Sequence, residues 1–97
     1  MPRFVPASVA ELQRVGLFGS LPGEQLTRIA EQTERLEIAS GGAFGGTDET
    51  VDILLTGLAR GSAGVLRPGE IAAGPATALT ACIVARVPRV AVDEAVG

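Results

Sequence analysis

Between Val51 and Glu70 the chain reads VDILLTGLARGSAGVLRPGE, and this stretch constrains the fold more than any other. Short apolar runs at Val51–Leu55, Leu58–Ala59 and Val65–Leu66 are punctuated by Gly57, Gly61, Gly64 and Gly69. Glycine enters positive-φ turns at little cost, while β-branched and large apolar residues fill a sheet face. The stretch therefore predicts short strands joined by tight turns, the central ladder of a small β structure. Val51, Ile53 and Leu55 alternate with Asp52 and Leu54, which predicts a strand buried largely on both sides. Gly57 turns the chain into Leu58–Arg60, Gly61–Gly64 closes a hairpin, and Val65–Leu66 returns as an edge. Arg67-Pro68-Gly69-Glu70 follows as another turn, with proline and glycine where a β-turn favours them.

The flanks read differently. Residues 1–7 form an N-terminal arm with Pro2 and Pro6, and Ser8-x-x-Glu11 fits a capping box. Val9, Leu12 and Val15 recur at three-residue spacing, which predicts a helix of two turns that Gly16 ends. Leu17, Phe18 and Leu21 make an apolar elbow. Pro22 and Glu24 suit the start of a second helix, on which Leu26, Ile29, Ala30, Thr33 and Leu36 fall in one stripe. Gln25, Arg28, Glu31, Gln32 and Arg35 face water on the other side. After Leu36 the period changes to a strand that turns at Gly41–Gly42, returns weakly through Phe44, and meets the polar turn Thr47–Thr50. Thr77–Val87 reads as one strand, with Thr77, Leu79, Ala81, Ile83, Ala85 and Val87 on one face. Pro88 stops it, and Val90–Val96 begins a short helix. The expected fold is α+β: two short N-terminal helices packed on a small antiparallel, jelly-roll-like β-roll, with a short C-terminal helix. Its parts are an arm over 1–7, a helical lead-in over 8–36, the roll over 37–88 and a terminal helical turn over 89–97.

Ninety-seven residues make one domain with a single modest core. The chain is 46% hydrophobic but has three Phe and no Trp or Tyr, so Leu, Val, Ile and Ala must build that core. A net charge of −3 leaves no basic stripe for phosphate backbones, which argues against nucleic acid as the main partner. The N-terminal ten residues lack the apolar run of a secretory signal, and the longest apolar run, Ala81–Ala85, is far short of the roughly 20 residues of a membrane span. With a single cysteine, Cys82, the chain reads as soluble and cytoplasmic. There is no His, so the commonest general base and metal ligand is missing. Asp48, Glu49 and Asp52 form an acidic cluster on a turn, where a solvated turn is the ordinary reading and a cation site the sharper one. Cys82 lies mid-strand with no His or Lys near it, as a core residue does. Catalysis is not supported, and no enzyme is expected.

The order helix, elbow, helix and glycine-punctuated strands resembles the cyclic-nucleotide-binding domain. Leu12-Gln-Arg-Val-Gly-Leu-Phe18-Gly-Ser-Leu21 followed by Glu24-Gln-Leu26 is similar to that family's opening elbow and packed helix. Asp52-Ile-Leu-Leu-Thr-Gly57 is similar to its central strand, and Leu66-Arg-Pro-Gly69-Glu70 to the turn before its ligand cassette. The resemblance spans about residues 9–92. It implies a phosphate-binding cassette in which a short helix and an arginine hold the cyclic phosphate and a Gly-Glu pair meets the ribose. Gly69-Glu70-Ile71-Ala72 resembles either that pair or the turn that precedes it, and the chain has one such pair where the family usually has two. Pro75-Ala76-Thr77-Ala78 resembles the family's Pro-Arg-Ala segment with Ala76 at the arginine position, and only Ala73 and Gly74 separate Ala72 from Pro75.

Two functions follow as expectations. The first is a non-catalytic module with an incomplete cassette, a regulatory or accessory subunit or a homodimer that needs no cofactor. The chain ends where family members continue into a signalling helix and output domain, so such a module would act through another polypeptide. Its docking surfaces are expected around Val9, Leu12 and Val15 and around Val90, Val92 and Val96. The second is a stand-alone sensor that binds a cyclic nucleotide or another small anion at Arg67, Gly69 and Glu70. A transcription factor comes third, since the residues after Pro88 leave no room for a helix-turn-helix.

Overall fold

The protein is described by a computed structural model, in which residues 9–13, 15–16, 18–19, 21–62, 64–72 and 74–96 are placed. The arm over 1–7, the Ser8 cap and Leu17 lie outside the described residues. Helix α1 (Val9–Gln13) is shorter than the spacing of Val9, Leu12 and Val15 predicts. Beyond it the backbone winds in successive three-residue turns: Val15 N–H donates to the Leu12 carbonyl at 3.0 Å, Phe18 to Val15 at 2.9 Å and Leu21 to Phe18 at 3.2 Å. These turns make the elbow, and they carry Val15 and Phe18 into the same core as Leu12.

Helix α2 (Gly23–Gln32) buries Leu26, Ile29 and Ala30, as its stripe predicts. It stops four residues before Leu36. Thr33 turns extended (φ −96°, ψ 125°), and its buried hydroxyl donates to the Ile29 carbonyl at 2.7 Å. From Glu34 the chain is strand β1 (Glu34–Ile38), because its backbone groups find partners on a strand fifty residues later. The change from helix to strand thus falls at Thr33.

The strands that follow are β2 (Ala43–Phe44), β3 (Thr50–Thr56), β4 (Ala59–Gly61), β5 (Gly64–Leu66), β6 (Ile71–Ala72), β7 (Ala76–Ala78) and β8 (Cys82–Pro88), and α3 (Arg89–Val96) closes the chain. They form two antiparallel four-stranded sheets, β1-β8-β3-β6 and β2-β7-β4-β5. The single strand expected over Thr77–Val87 is two strands in different sheets. Leu79 and Thr80 break it, both donating their N–H groups to the Leu58 carbonyl at 2.8 and 3.2 Å, so the chain crosses from one sheet to the other there. Within β8 the expected alternation holds: Ile83, Ala85 and Val87 face the helices, while Cys82 and Val84 face the roll interior.

Two cores result. Leu12, Val15, Phe18, Leu26 and Ile29 pack on Val51, Ile53, Leu55, Ala85 and Val87 between the helices and the first sheet. Phe44, Leu54, Cys82, Val84 and four alanines fill the space between the sheets. Strands β3 and β8 contribute to both, which is why Val51–Leu55 reads as a near-continuous apolar run. Apart from Phe44 and Leu54 the buried residues of the inner core are small, each burying less area than a leucine, whose full burial stabilises by about 1.5–3 kcal/mol.

Candidate functional site

The turn expected to carry a ligand is well formed. Pro68 precedes Gly69, whose φ of +94° is the conformation a type II turn requires at its third residue. Glu70 N–H donates to the Arg67 carbonyl at 3.1 Å and closes the turn. Strand β3 pins it: Gly69 N–H donates to the Leu54 carbonyl at 2.7 Å, and Leu54 N–H to the Glu70 carbonyl at 3.0 Å. The Glu70 carboxylate accepts the Arg67 backbone N–H at 2.8 Å, so it caps its own turn.

The three candidate ligand residues do not converge. Glu70 lines a cavity of about 210 Å³ with Gly61, Val65, Leu66, Ile71 and Gly74. Gly69 lines a different one, of about 340 Å³, on the side of Val15 and Leu55. Arg67 is exposed and lines neither. Small-molecule sites commonly enclose about 300–1,000 Å³ with convergent polar groups, and the cavity beside Glu70 is smaller than that. Between β6 and β7 lie three residues, too few for a helical turn with its own ends. Ala76 pairs with Phe44 across β2 and β7 and is buried in the inner core.

The strongest polar feature lies deeper, and the sequence reading misplaces it. Asp52 does not join Asp48 and Glu49 on the turn; it is fully buried on β3. It sits opposite Arg86 on β8, and the pair is bidentate: Arg86 Nε reaches Oδ1 at 2.9 Å and Nη2 reaches Oδ2 at 3.0 Å. Gly45 N–H adds a third bond to Oδ2 at 3.0 Å. The hydrogen bond and charge of Asp52, with Glu34 beyond it, hold the Arg86 guanidinium above its ordinary value against the opposing effect of partial burial. At this end of the roll the chain crosses itself closely, and a Cβ on Gly45 would stand 2.8 Å from the Gly74 carbonyl oxygen. Thirty-four residues separate Asp52 from Arg86, and only their opposite register positions on neighbouring strands bring them together. Among the described residues no group of three potential metal ligands comes together.

The turn over Thr47–Thr50 is held internally. Thr47 N–H and hydroxyl meet the Thr50 hydroxyl at 3.1 and 3.0 Å, and the Arg89 side chain donates to the Asp48 and Thr47 carbonyls at 3.0 and 3.3 Å. Cys82 is buried, its thiol against the Leu58 and Thr80 carbonyls at 3.2 Å each. Of the expected docking residues, Leu12 and Val15 are spent in the outer core and cannot present a surface, because their spacing serves the domain's own packing. Val9 and Val92 pack at its margin, Val90 is 69% exposed, and the Val96 side chain lies outside what is described.

Helices laid on one sheet of a two-sheet antiparallel roll define the cyclic-nucleotide-binding β-roll fold. A cyclic-nucleotide-binding-like protein from Brucella abortus matches with a TM-score of 0.63 and 26% identity over 91% of this chain and 96% of its own. A putative cyclic nucleotide-binding protein from Geobacter metallireducens matches with a TM-score of 0.69 and 23% identity over 90% of this chain and 80% of its own. The regulatory subunit of a cAMP-independent protein kinase A from Trypanosoma cruzi, bound to guanosine, gives a TM-score of 0.68 at 18% identity, and this chain covers 40% of it. No protein-family model matches the sequence, and no curated protein does. Among the described residues no helix is long and apolar enough to cross a membrane.

Proposed function

We propose that this chain is a non-catalytic regulatory or accessory module that keeps the cyclic-nucleotide-binding scaffold without its nucleotide site and acts by binding another polypeptide. The observation that carries this reading is the connection from β6 to β7. A cyclic phosphate needs fixed N–H donors and a guanidinium, a charge-assisted contact worth about 1.5–3 kcal/mol. The segment has no room for a donor helix, and the arginine position implied by the resemblance holds Ala76, a methyl group buried against Phe44. Glu70 is engaged with its own turn, Arg67 stands outside the adjacent cavities, and the half-buried Arg86 is paired with Asp52.

Calorimetric titration with cyclic AMP, cyclic GMP and guanosine tests this directly. No binding at micromolar ligand is expected. Binding that Arg67→Ala and Glu70→Ala abolish would establish the opposite reading, a small-ligand sensor at that turn.

A further inference from the structure

We infer that strand β1 is an interface for a second copy of this chain, which pairs with it antiparallel about Leu36 and joins the two first sheets into one continuous sheet. The inference deepens the proposed module reading and rests on it. Strand β1 is an edge: β8 covers one side, and among the described residues its other side has no strand partner. An edge strand presents a row of backbone donors and acceptors, and proteins blunt such edges with bulges, proline or charged side chains. Strand β1 carries no proline, its ladder with β8 runs without a register shift over all five residues, and its three charges, Glu34, Arg35 and Glu37, are of mixed sign, so they bar some pairings and favour another.

The sequence Glu34-Arg35-Leu36-Glu37-Ile38 is self-complementary when read antiparallel. With Leu36 opposite its own copy, Arg35 of each chain faces Glu37 of the other, and Glu34 faces Ile38. Opposite charges directly across a sheet stabilise it and like charges oppose it. Sliding by two residues in one direction sets Arg35 against itself, and in the other sets Glu37 against itself. A one-residue slip sets Glu34 against Glu37 in one direction and leaves Arg35 against Ile38 and Glu37 against Leu36 in the other, and a parallel in-register pairing sets every charge against its like. One register alone matches both symmetric ion pairs. In the single chain Arg35 and Glu37 lie side by side on one face, their charged atoms 3.3 Å apart, with side-chain exposures of 27% and 78%. In the dimer the two intrachain contacts, one per chain, are exchanged for two across the interface, so the ion pairs set the register and the added backbone ladder holds the strands. Leu36 and Ile38 share the opposite face, half-buried against the inner core, so the added strands extend that core's rim. A two-fold axis normal to the sheet makes the contact closed, which limits assembly to a dimer.

The test is sedimentation velocity over a concentration series of the whole chain and of charge variants, with circular dichroism to confirm folding. Wild-type protein is expected to dimerise reversibly. Arg35→Glu and Glu37→Arg each place like charges at both symmetric contacts and are expected to weaken self-association at least about tenfold. Mixing the two single variants restores complementarity at both contacts, so the mixture is expected to form heterodimers near wild-type strength. The double variant carrying both changes is expected to dimerise with itself. Wild-type protein that stays monomeric throughout, or dimers that neither single variant weakens, would overturn the β1 interface. Single variants that stay apart when mixed would do the same. None of these outcomes touches the nucleotide titration, on which the module reading stands or falls by itself.

Discussion

The ion pair of Asp52 and Arg86 has an asymmetry that fixes what each substitution does. Asp52 is fully enclosed, whereas about a third of the Arg86 side chain meets water. Removing the arginine strands a carboxylate that keeps only the Gly45 N–H, so Arg86→Met is expected to cost about 3–5 kcal/mol, the range for breaking one side of a buried pair. Asp52→Asn leaves an amide that still accepts from Gly45, beside a guanidinium with an outlet to solvent. It is expected to cost less, about 1–3 kcal/mol. Urea unfolding of both variants checks the order, and the reverse order would refute the buried-charge account. Because Asp52 raises the guanidinium's value, the stability it lends is complete below the ordinary arginine range and lost only as pH rises through the folded value above it. Arg86 thus adds no pH dependence near neutrality. The pairing was not legible in the sequence, where Asp52 falls both on a strand buried largely on both sides and in an acidic cluster with Asp48 and Glu49, and nothing marks Arg86 as its partner.

At the scale of elements, the same apolar spacing that announces a helix cannot say what the helix faces. Val9, Leu12 and Val15 look alike in sequence, but Leu12 and Val15 are core and Val9 is marginal. Leu12→Ala is therefore expected to destabilise the fold by about 2–5 kcal/mol, whereas Val90→Ser on exposed α3 should change it by no more than about 0.5 kcal/mol. Thermal melts of both decide whether α1 belongs to the core and α3's outer face to solvent. The helix α2, the doubly buried β3, the β4–β5 hairpin and the Arg67–Glu70 turn were legible because each is governed by its own residues: a stripe, an apolar run, paired glycines, Pro-Gly. The end of α2 and the break at Leu79–Ala81 were not, because the partners that set them lie far along the chain. Thr33 leaves the helix where β8 offers a ladder, and Leu79 turns where Leu58 offers a carbonyl. Thr77–Val87 contains no glycine or proline to mark that turn.

For the molecule as a whole, the decisive feature is that two cores share two strands. Ile53 and Leu54 are consecutive, both fully buried, and point into opposite cores. Ala85 and Val84 do the same on β8. Neither core can open without exposing the back of a strand that the other needs, so the helices and the roll should unfold in one transition despite their separate packing. The β4–β5 hairpin stands apart from this coupling, since Val65 is half exposed and β5 is, among the described residues, one edge of the second sheet. Native-state hydrogen exchange should find the β3 and β8 amides opening only with global unfolding, and those of β5 by local opening at lower free energy. Phe44→Ala in the inner core and Leu26→Ala in the outer core should lower the β3 and β8 protection by the same amount as each lowers global stability. Were the outer-core substitution to release the helices while leaving β3 and β8 protected, the shared strands would not couple the two halves, and the roll would be an independent folding unit.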